Sequence, residues 1–227
     1  MLSGRSALNA VCTGASSAHF TPGSARTVQP VGGAAAVAAA GRFDQVLYDL
    51  MGKALGVPAY RLTGGACRDR VRVYANGWYT GDREPAAFAE LSRAELRRSI
   101  DIVAAVRAAV GPETELYVEG HARFAMHTAA RLVRELEPFD LGWFEEPLPW
   151  THIERYAELR ARATMPISGG EHFHNRYEYA RLFATDAVDI IQPDLSMAGG
   201  FTEVRKLAAI ADQMPRLRFM PPYRSSL

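Results

Sequence analysis

Residues 141–149 read LGWFEEPLP, a short apolar run that ends in Glu145 and is followed by a helical pattern. The same order occurs at Glu119 and at Glu171, and both steps between the three glutamates are 26 residues long. In a parallel β/α barrel, residues at the strand ends converge on one rim, where active sites lie. Three convergent carboxylates repel one another, so the pattern favours a hard divalent cation between them.

Further apolar runs alternate with helical patterns on both sides of these glutamates. Six runs are predicted to be strands, and their alternation with helices indicates an α/β fold with a parallel sheet and crossover helices. A (β/α) barrel of the TIM type is the closed form of such a sheet, and six of its eight strands can be identified in the sequence. The predicted strands are 71–78, 115–119, 142–145, 166–169, 188–192 and 217–220, and the predicted helices are 85–110, 126–136, 153–162, 177–184 and 202–214.

The composition excludes several classes of protein. The chain has 227 residues and a formal net charge of +1, which argues against a strongly basic nucleic-acid-binding protein. No apolar run approaches the roughly 20 residues of a membrane-spanning helix, so no membrane partner is predicted. Cys12 and Cys67 have no metal-binding or redox spacing, and a reducing, cytoplasmic setting is the expected one.

Residues 1–41 differ from the rest of the chain. They contain no Asp or Glu and are rich in Gly, Ala and Ser. Such a segment is typical of an organelle transit peptide or of a disordered or misassigned leader, and we prefer the leader. Order is predicted to begin at Phe43, where apolar residues at helical spacing extend to Leu55.

Six motifs follow one another along the chain, and together they are specific. The motifs are FDQVLYDLMGKALGVPAYRLTGG (43–65), RVYANGW (72–78), YVEGHARF (117–124), WFEEPLP (143–149), ISGGEHF (167–173) and DIIQPDLSMAGGFTE (189–203). On these motifs, from about Phe43 onward, the chain resembles the enolase superfamily, in its mandelate racemase/muconate lactonising enzyme branch, and within that branch the acid-sugar dehydratases of the galactonate type.

The resemblance implies a reaction and a domain organisation. Members of this branch remove a proton α to a carboxylate, stabilise the resulting enediolate with Mg²⁺, and in the dehydratases eliminate the β-hydroxyl of a sugar acid. Residues 42–70 are then the remnant of a junction helix between a capping domain and the barrel, and residues 71–227 are a partial barrel without recognisable second and eighth strands.

The resemblance also implies roles for single residues. Glu119, Glu145 and Glu171 match the metal ligands, although a single glutamate at such a position is more typical of a carboxylate that caps the following helix. His121 matches a general acid that protonates the leaving hydroxyl, and its alternative is a histidine in a surface loop. Asp194 matches a residue that orients a histidine base, and it is equally suited to capping its own loop.

Residues near these positions have other predicted roles. Glu146 is expected to point away from the metal, because side chains alternate along a strand. The predicted substrate-binding residues are Asn76, Trp78, Arg123 and His172. The implied ligand is a small sugar acid, and the implied assembly is a homo-oligomer.

Two departures from the family pattern keep other functions open. Pro222 stands where the family places a histidine, and 81–100 shows helix formers instead of a strand with a lysine base. A racemase or epimerase of the same superfamily uses the same first step. A truncated member without catalytic activity is the alternative outside enzymes.

Overall fold

The computed structural model describes residues 33–66, 68–70 and 93–220. The predicted strand 71–78, with the substrate-binding candidates Asn76 and Trp78, lies outside the described residues. Cys12, Cys67 and Pro222 also lie outside them. Within the described part of the chain, no helix is both long and apolar enough to cross a membrane.

Five parallel strands form one sheet, and their spatial order follows the chain. Each strand lies beside the next one along the sequence, which is the arrangement of a barrel wall. The strands are β1 (Leu116–Glu119), β2 (Leu141–Glu145), β3 (Ile167–Gly169), β4 (Ile190–Ile191) and β5 (Arg218–Phe219). All five lie within the predicted ranges, apart from the one-residue extension of β2 to Leu141, so this part of the prediction is confirmed.

Helices connect successive strands and pack on one side of the sheet. Their bounds are α1 (Gly33–Leu55), α2 (Ala59–Leu62), α3 (Arg93–Val110), α4 (Met126–Leu136), α5 (Ile153–Arg160), α6 (Arg176–Thr185) and α7 (Gly200–Ala211). The sequence predicts α4 to the residue, since apolar positions at 3.6-residue spacing define its buried face. At α6, Asn175 accepts hydrogen bonds from the backbone N–H groups of Tyr177 (2.9 Å) and Glu178 (3.2 Å), which fixes the helix start.

The core lies between the sheet and its helices. Phe144, Ile167 and Ile191 point from three adjacent strands into it and are fully buried. Leu159 of α5 and Leu207 of α7 close it from the helical side. Because consecutive strands share this core, the rim at their carboxyl ends is held rigidly in place.

Helix α1 begins earlier than the sequence predicted. It starts at Gly33, whereas order was expected from Phe43, because the alanine-rich stretch before Phe43 continues the helix. One face of α1 packs on α7: a Cβ at Gly41 would lie 2.9 Å from the backbone N of Gly200, so only glycine permits this approach. Asp44 Oδ2 accepts a hydrogen bond from the backbone N of Thr202 at 3.0 Å and caps α7 from outside.

Candidate active site

The carboxyl ends of β1, β2 and β3 bring the predicted glutamates to one rim. Glu119 and Glu145 are register partners on neighbouring strands, and Glu145 in turn pairs with Ser168 of β3. Glu171 follows β3 by two residues. The rim therefore has the convergence that equal spacing along the sequence predicted.

A first cluster joins Glu119, His121 and Glu171. The Nδ1 atom of His121 lies 2.8 Å from Glu119 Oε1 and 3.8 Å from Glu171 Oε1. One ligand atom from each of the three residues lies within 4.8 Å of the other two, which is close enough to share a metal ion. Two predicted metal ligands and the predicted general acid are thus neighbours.

A second cluster joins Glu146, Glu171 and His172, and it corrects the expectation for Glu146. Strand alternation was expected to turn this side chain away from the site. Strand β2 ends at Glu145, however, and Glu146 has a φ of 38°, in the left-handed region, so alternation no longer applies. Its carboxylate is only 1% exposed and lies 2.8 Å from Nδ1 of His172, with a ligand atom within 4.8 Å of Glu171.

Glu145 is the most buried of the three predicted ligands, at 9% exposure. Its Oε2 accepts hydrogen bonds from Trp143 Nε1 (3.1 Å) and Gln192 Nε2 (3.2 Å). The pKa of Glu145 is raised to about 7, chiefly by burial and then by the negative charges of Glu119 and, less strongly, Glu171, while the two hydrogen bonds lower it. Among the described residues Glu145 belongs to neither of the two clusters that lie within metal-sharing distance.

The carboxylates of Glu119 and Glu171, two of the three predicted ligands, lie close enough to share a hard divalent cation. The negative charges of Glu119 and Glu171 both act on the buried carboxyl of Glu145 and disfavour its ionisation. A divalent cation would relieve that repulsion, and carboxylate oxygens are the ligands that Mg²⁺ prefers. The donor set and its electrostatics therefore agree with the cation that the sequence suggested.

The backbone at this rim is strained where the functional side chains leave the strands. His121 and Ala122 have φ values of 47° and 58°, which residues with a Cβ adopt at an energetic cost. At Gly120, a Cβ would lie 2.8 Å from the backbone O of Glu146, so glycine allows the loops after β1 and β2 to meet. The backbone N of Ala122 then donates to the O of Glu146 at 2.7 Å, which joins the two loops.

The remaining predicted site residues have different surroundings. Asp194 Oδ1 accepts hydrogen bonds from the backbone N of Ser196 (2.7 Å) and Met197 (3.2 Å), which is the loop-capping arrangement. Arg123 is exposed in the loop after β1. His172 stacks on Trp150, with ring centroids 6.2 Å apart and planes 4° from parallel.

Sequence reasoning missed two residues of this site. Gln192 is fully buried at the end of β4 and donates to Glu145, and Trp143 donates to the same oxygen from β2. The position of Gln192 after the run DII was a usable signal, because strand ends of a barrel share one rim. No sequence signal indicated the hydrogen bond from Trp143, because an aromatic residue in a strand is usually part of the core.

Comparisons with known proteins agree on one family. A family model described as "Enolase C-terminal domain-like" matches residues 66–217. D-galactonate dehydratase of Verminephrobacter eiseniae is 38% identical over 204 residues, which cover 80% of this chain and 53% of the relative. D-gluconate dehydratase of Thermoproteus tenax is 37% identical over 193 residues, which cover 74% of this chain and 39% of the relative.

A solved structure supports the same relationship. L-talarate dehydratase from Polaromonas sp. JS666, complexed with Mg and L-glucarate, matches with a TM-score of 0.73 and 29% identity over 84% of this chain and 57% of that one. The chain thus spans about half the length, or less, of the curated relatives it matches.

Proposed function

Since the chain belongs to the enolase C-terminal domain-like family, we propose that it is a Mg²⁺-dependent dehydratase-like protein that acts on a sugar acid. In the reaction a general base takes the proton α to the substrate carboxylate, and the β-hydroxyl then accepts a proton and leaves as water. Two curated relatives are named for the dehydration of galactonate and gluconate, and a structural relative was crystallised with Mg and L-glucarate.

Glu119, Glu145 and Glu171 are the residues that would hold the cation. The observation that carries this proposal is geometric: Glu119 and Glu145 are register partners on neighbouring strands, and Glu119 and Glu171 have ligand atoms within 4.8 Å of each other. The pKa of Glu145, raised to about 7 by burial and by the charges of the other two carboxylates, agrees with it. When bound, Mg²⁺ supplies electrostatic stabilisation to the negative charge that develops on the substrate carboxylate. Trp143 and Gln192 orient the carboxylate of Glu145 through their hydrogen bonds.

His121 is the residue that would supply a proton to the leaving hydroxyl. Its Nδ1 atom lies 2.8 Å from Glu119 Oε1, so the ring orientation is fixed, and Nε2 is the atom from which a proton can be delivered. Histidine is the side chain that most often serves as a general acid or base in enzymes. His172, held on the buried Glu146 and stacked on Trp150, forms the neighbouring wall and would contact substrate hydroxyls.

The proposal is tested by isotope exchange and elimination on one panel of sugar acids. The chain is incubated with aldonic and aldaric acids and Mg²⁺ in D₂O, and NMR follows deuterium at Cα and the formation of a 2-keto-3-deoxy acid. Both signals are expected for at least one acid, and both should vanish with EDTA. Exchange without elimination would favour a racemase or epimerase, and neither signal, with Mg²⁺ bound, would identify a member without catalytic activity.

A further inference from the structure

A cavity of about 450 Å³ lies at the amino ends of β3, β4 and β5. Its wall combines the end of α5, residues 163–166 before β3, Asp189 before β4, and Arg216 and Arg218 at the start of β5. This volume is within the roughly 300–1,000 Å³ of pockets that hold small molecules. The three glutamates lie at the opposite, carboxyl ends of the strands, where barrel enzymes bind their substrates. The cavity is therefore separate from the candidate active site.

One acidic side chain lines the cavity among the described residues, and both of its oxygens are already engaged. Asp189 Oδ1 accepts a hydrogen bond from Arg160 Nε at 2.7 Å, and Asp189 Oδ2 accepts one from the backbone N of Ile167 at 2.9 Å. Arg160 also forms an ion pair with Asp186 at 2.6 Å. The charge of Arg160 is thus balanced by two aspartates of its own chain.

Arg216 and Arg218 add positive charge that no further acid balances. In the part of the chain that the structure describes, neither guanidinium group forms a hydrogen bond or an ion pair. Their backbone is nevertheless fixed, because the N of Arg218 donates to the O of Asp189 at 2.8 Å and Leu217 packs against the core. Three arginines therefore stand against two aspartates at this end of the sheet. Like charges held together repel each other, so an anion would stabilise the arrangement.

We propose that this cavity binds the phosphate group of a small molecule. The planar guanidinium fork matches the oxygens of a phosphate, and two such groups balance the charge of a dianion. The exposed Thr164 offers a hydroxyl donor from the same wall. A carboxylate is satisfied by one guanidinium, so the pair of arginines favours phosphate. Ala157, Ala163 and Met165 line the rest of the cavity and would contact the carbon part of a phosphate monoester.

A titration of the ¹⁵N-labelled, metal-free full chain with inorganic phosphate, at constant ionic strength, tests the site. Without Mg²⁺ the carboxylates of the rim repel an anion, so phosphate is directed to the cavity. We expect saturable shifts of the amide signals of residues 163–166 and 216–218, with a Kd in the millimolar range. Arg216→Gln and Arg218→Gln should each raise the Kd about tenfold, because each removes one charge-assisted contact.

Arg205→Gln is the matched control, because Arg205 is an exposed arginine of α7 outside the cavity wall. The Kd of this variant should equal that of the wild type, and its amide spectrum and those of the other two variants check that each is folded. Acetate at the same concentrations should bind at least tenfold more weakly than phosphate.

Three results would overturn the proposal. They are the lack of saturable shifts with phosphate in the wild type, an equal loss of affinity in Arg205→Gln, and acetate binding as tight as that of phosphate. The last result would assign the cavity to carboxylates. The experiment uses neither metal nor sugar acid, so its outcome is independent of the proposed dehydration.

Discussion

Glu119 and Glu145 lie opposite each other on adjacent parallel strands. Glu119 is exposed to solvent and Glu145 is buried, so water screens the repulsion between the two carboxylates poorly at Glu145. This relationship explains why the pKa of Glu145 rises to about 7, with burial as the first cause and Glu119 as the second. It also makes Glu145 the sensitive probe of any cation at this rim.

Glu145→Gln should abolish the thermal stabilisation that Mg²⁺ confers. A ligand that binds only the folded state raises the melting temperature in proportion to the logarithm of its concentration. We expect the wild type to gain a few degrees at 10 mM Mg²⁺ and the variant to gain less than about one degree. Differential scanning fluorimetry measures both.

Glu113→Gln is the matched control for this experiment, because Glu113 is exposed before β1 and away from the rim. Its Mg²⁺ response should equal that of the wild type. An unchanged Mg²⁺ shift in Glu145→Gln would remove Glu145 from the ligand set.

The stability of the metal-free protein should fall as pH rises from about 5 to 8. The pKa of Glu145 is about 7 in the folded protein and near the ordinary glutamate value of 4.5 in the unfolded chain. The contribution of Glu145 to the free energy of unfolding is therefore fully present below pH 4.5 and is lost as the pH rises through 7. The loss is at most roughly 3 kcal/mol, because one pKa unit corresponds to about 1.4 kcal/mol.

Urea denaturation in EDTA at several pH values isolates the contribution of Glu145 to the free energy of unfolding. The difference in unfolding free energy between Glu145→Gln and the wild type should grow in favour of the variant between pH 5 and pH 8. A difference that does not vary with pH would contradict the assigned shift.

His121→Asn should suppress elimination more than Cα exchange. The imidazole near Glu119 is proposed to protonate the leaving group, which is a later step than proton abstraction. We expect product formation to fall 100-fold or more, since general acid catalysis typically contributes 10²–10⁴-fold, while deuterium exchange changes less than about fivefold. The readout is the ratio of the two NMR signals.

His127→Asn serves as the control, because His127 is exposed on α4. Equal losses of exchange and elimination in His121→Asn would argue against a separate general-acid role.

Asp44→Ala should destabilise the protein by about 1 kcal/mol through the loss of a cap. Asp44 accepts hydrogen bonds from Thr202 N (3.0 Å) and Thr202 Oγ1 (2.6 Å), and no residue of α7 itself replaces it, since Gly199 has no side chain. Asp101→Ala, a change in the interior of α3 at an exposed position, controls for helix propensity. Urea denaturation of both variants should give a lower midpoint for Asp44→Ala alone.

The amino-acid pattern determined the alternation of strands and helices from residue 115 to residue 219. Apolar runs of four or five residues, three of which end at Glu119, Glu145 and Gly169, are short enough to be strands, and the intervening patterns have helical period. The same pattern placed Glu119, His121 and Glu171 on one rim, because consecutive parallel strands present their ends to the same side.

Only the tertiary structure decided how these side chains meet. Glu146 enters the site because the backbone turns into the left-handed region at the end of β2. The alternation of side chains along a strand gives no sign of that turn. Gln192 reaches Glu145 across 47 positions in the chain, and the burial that shifts the pKa of Glu145 arises from packing that no local pattern encodes. Local sequence fixes which face a side chain takes within an element, whereas contacts between elements depend on how those elements end and pack.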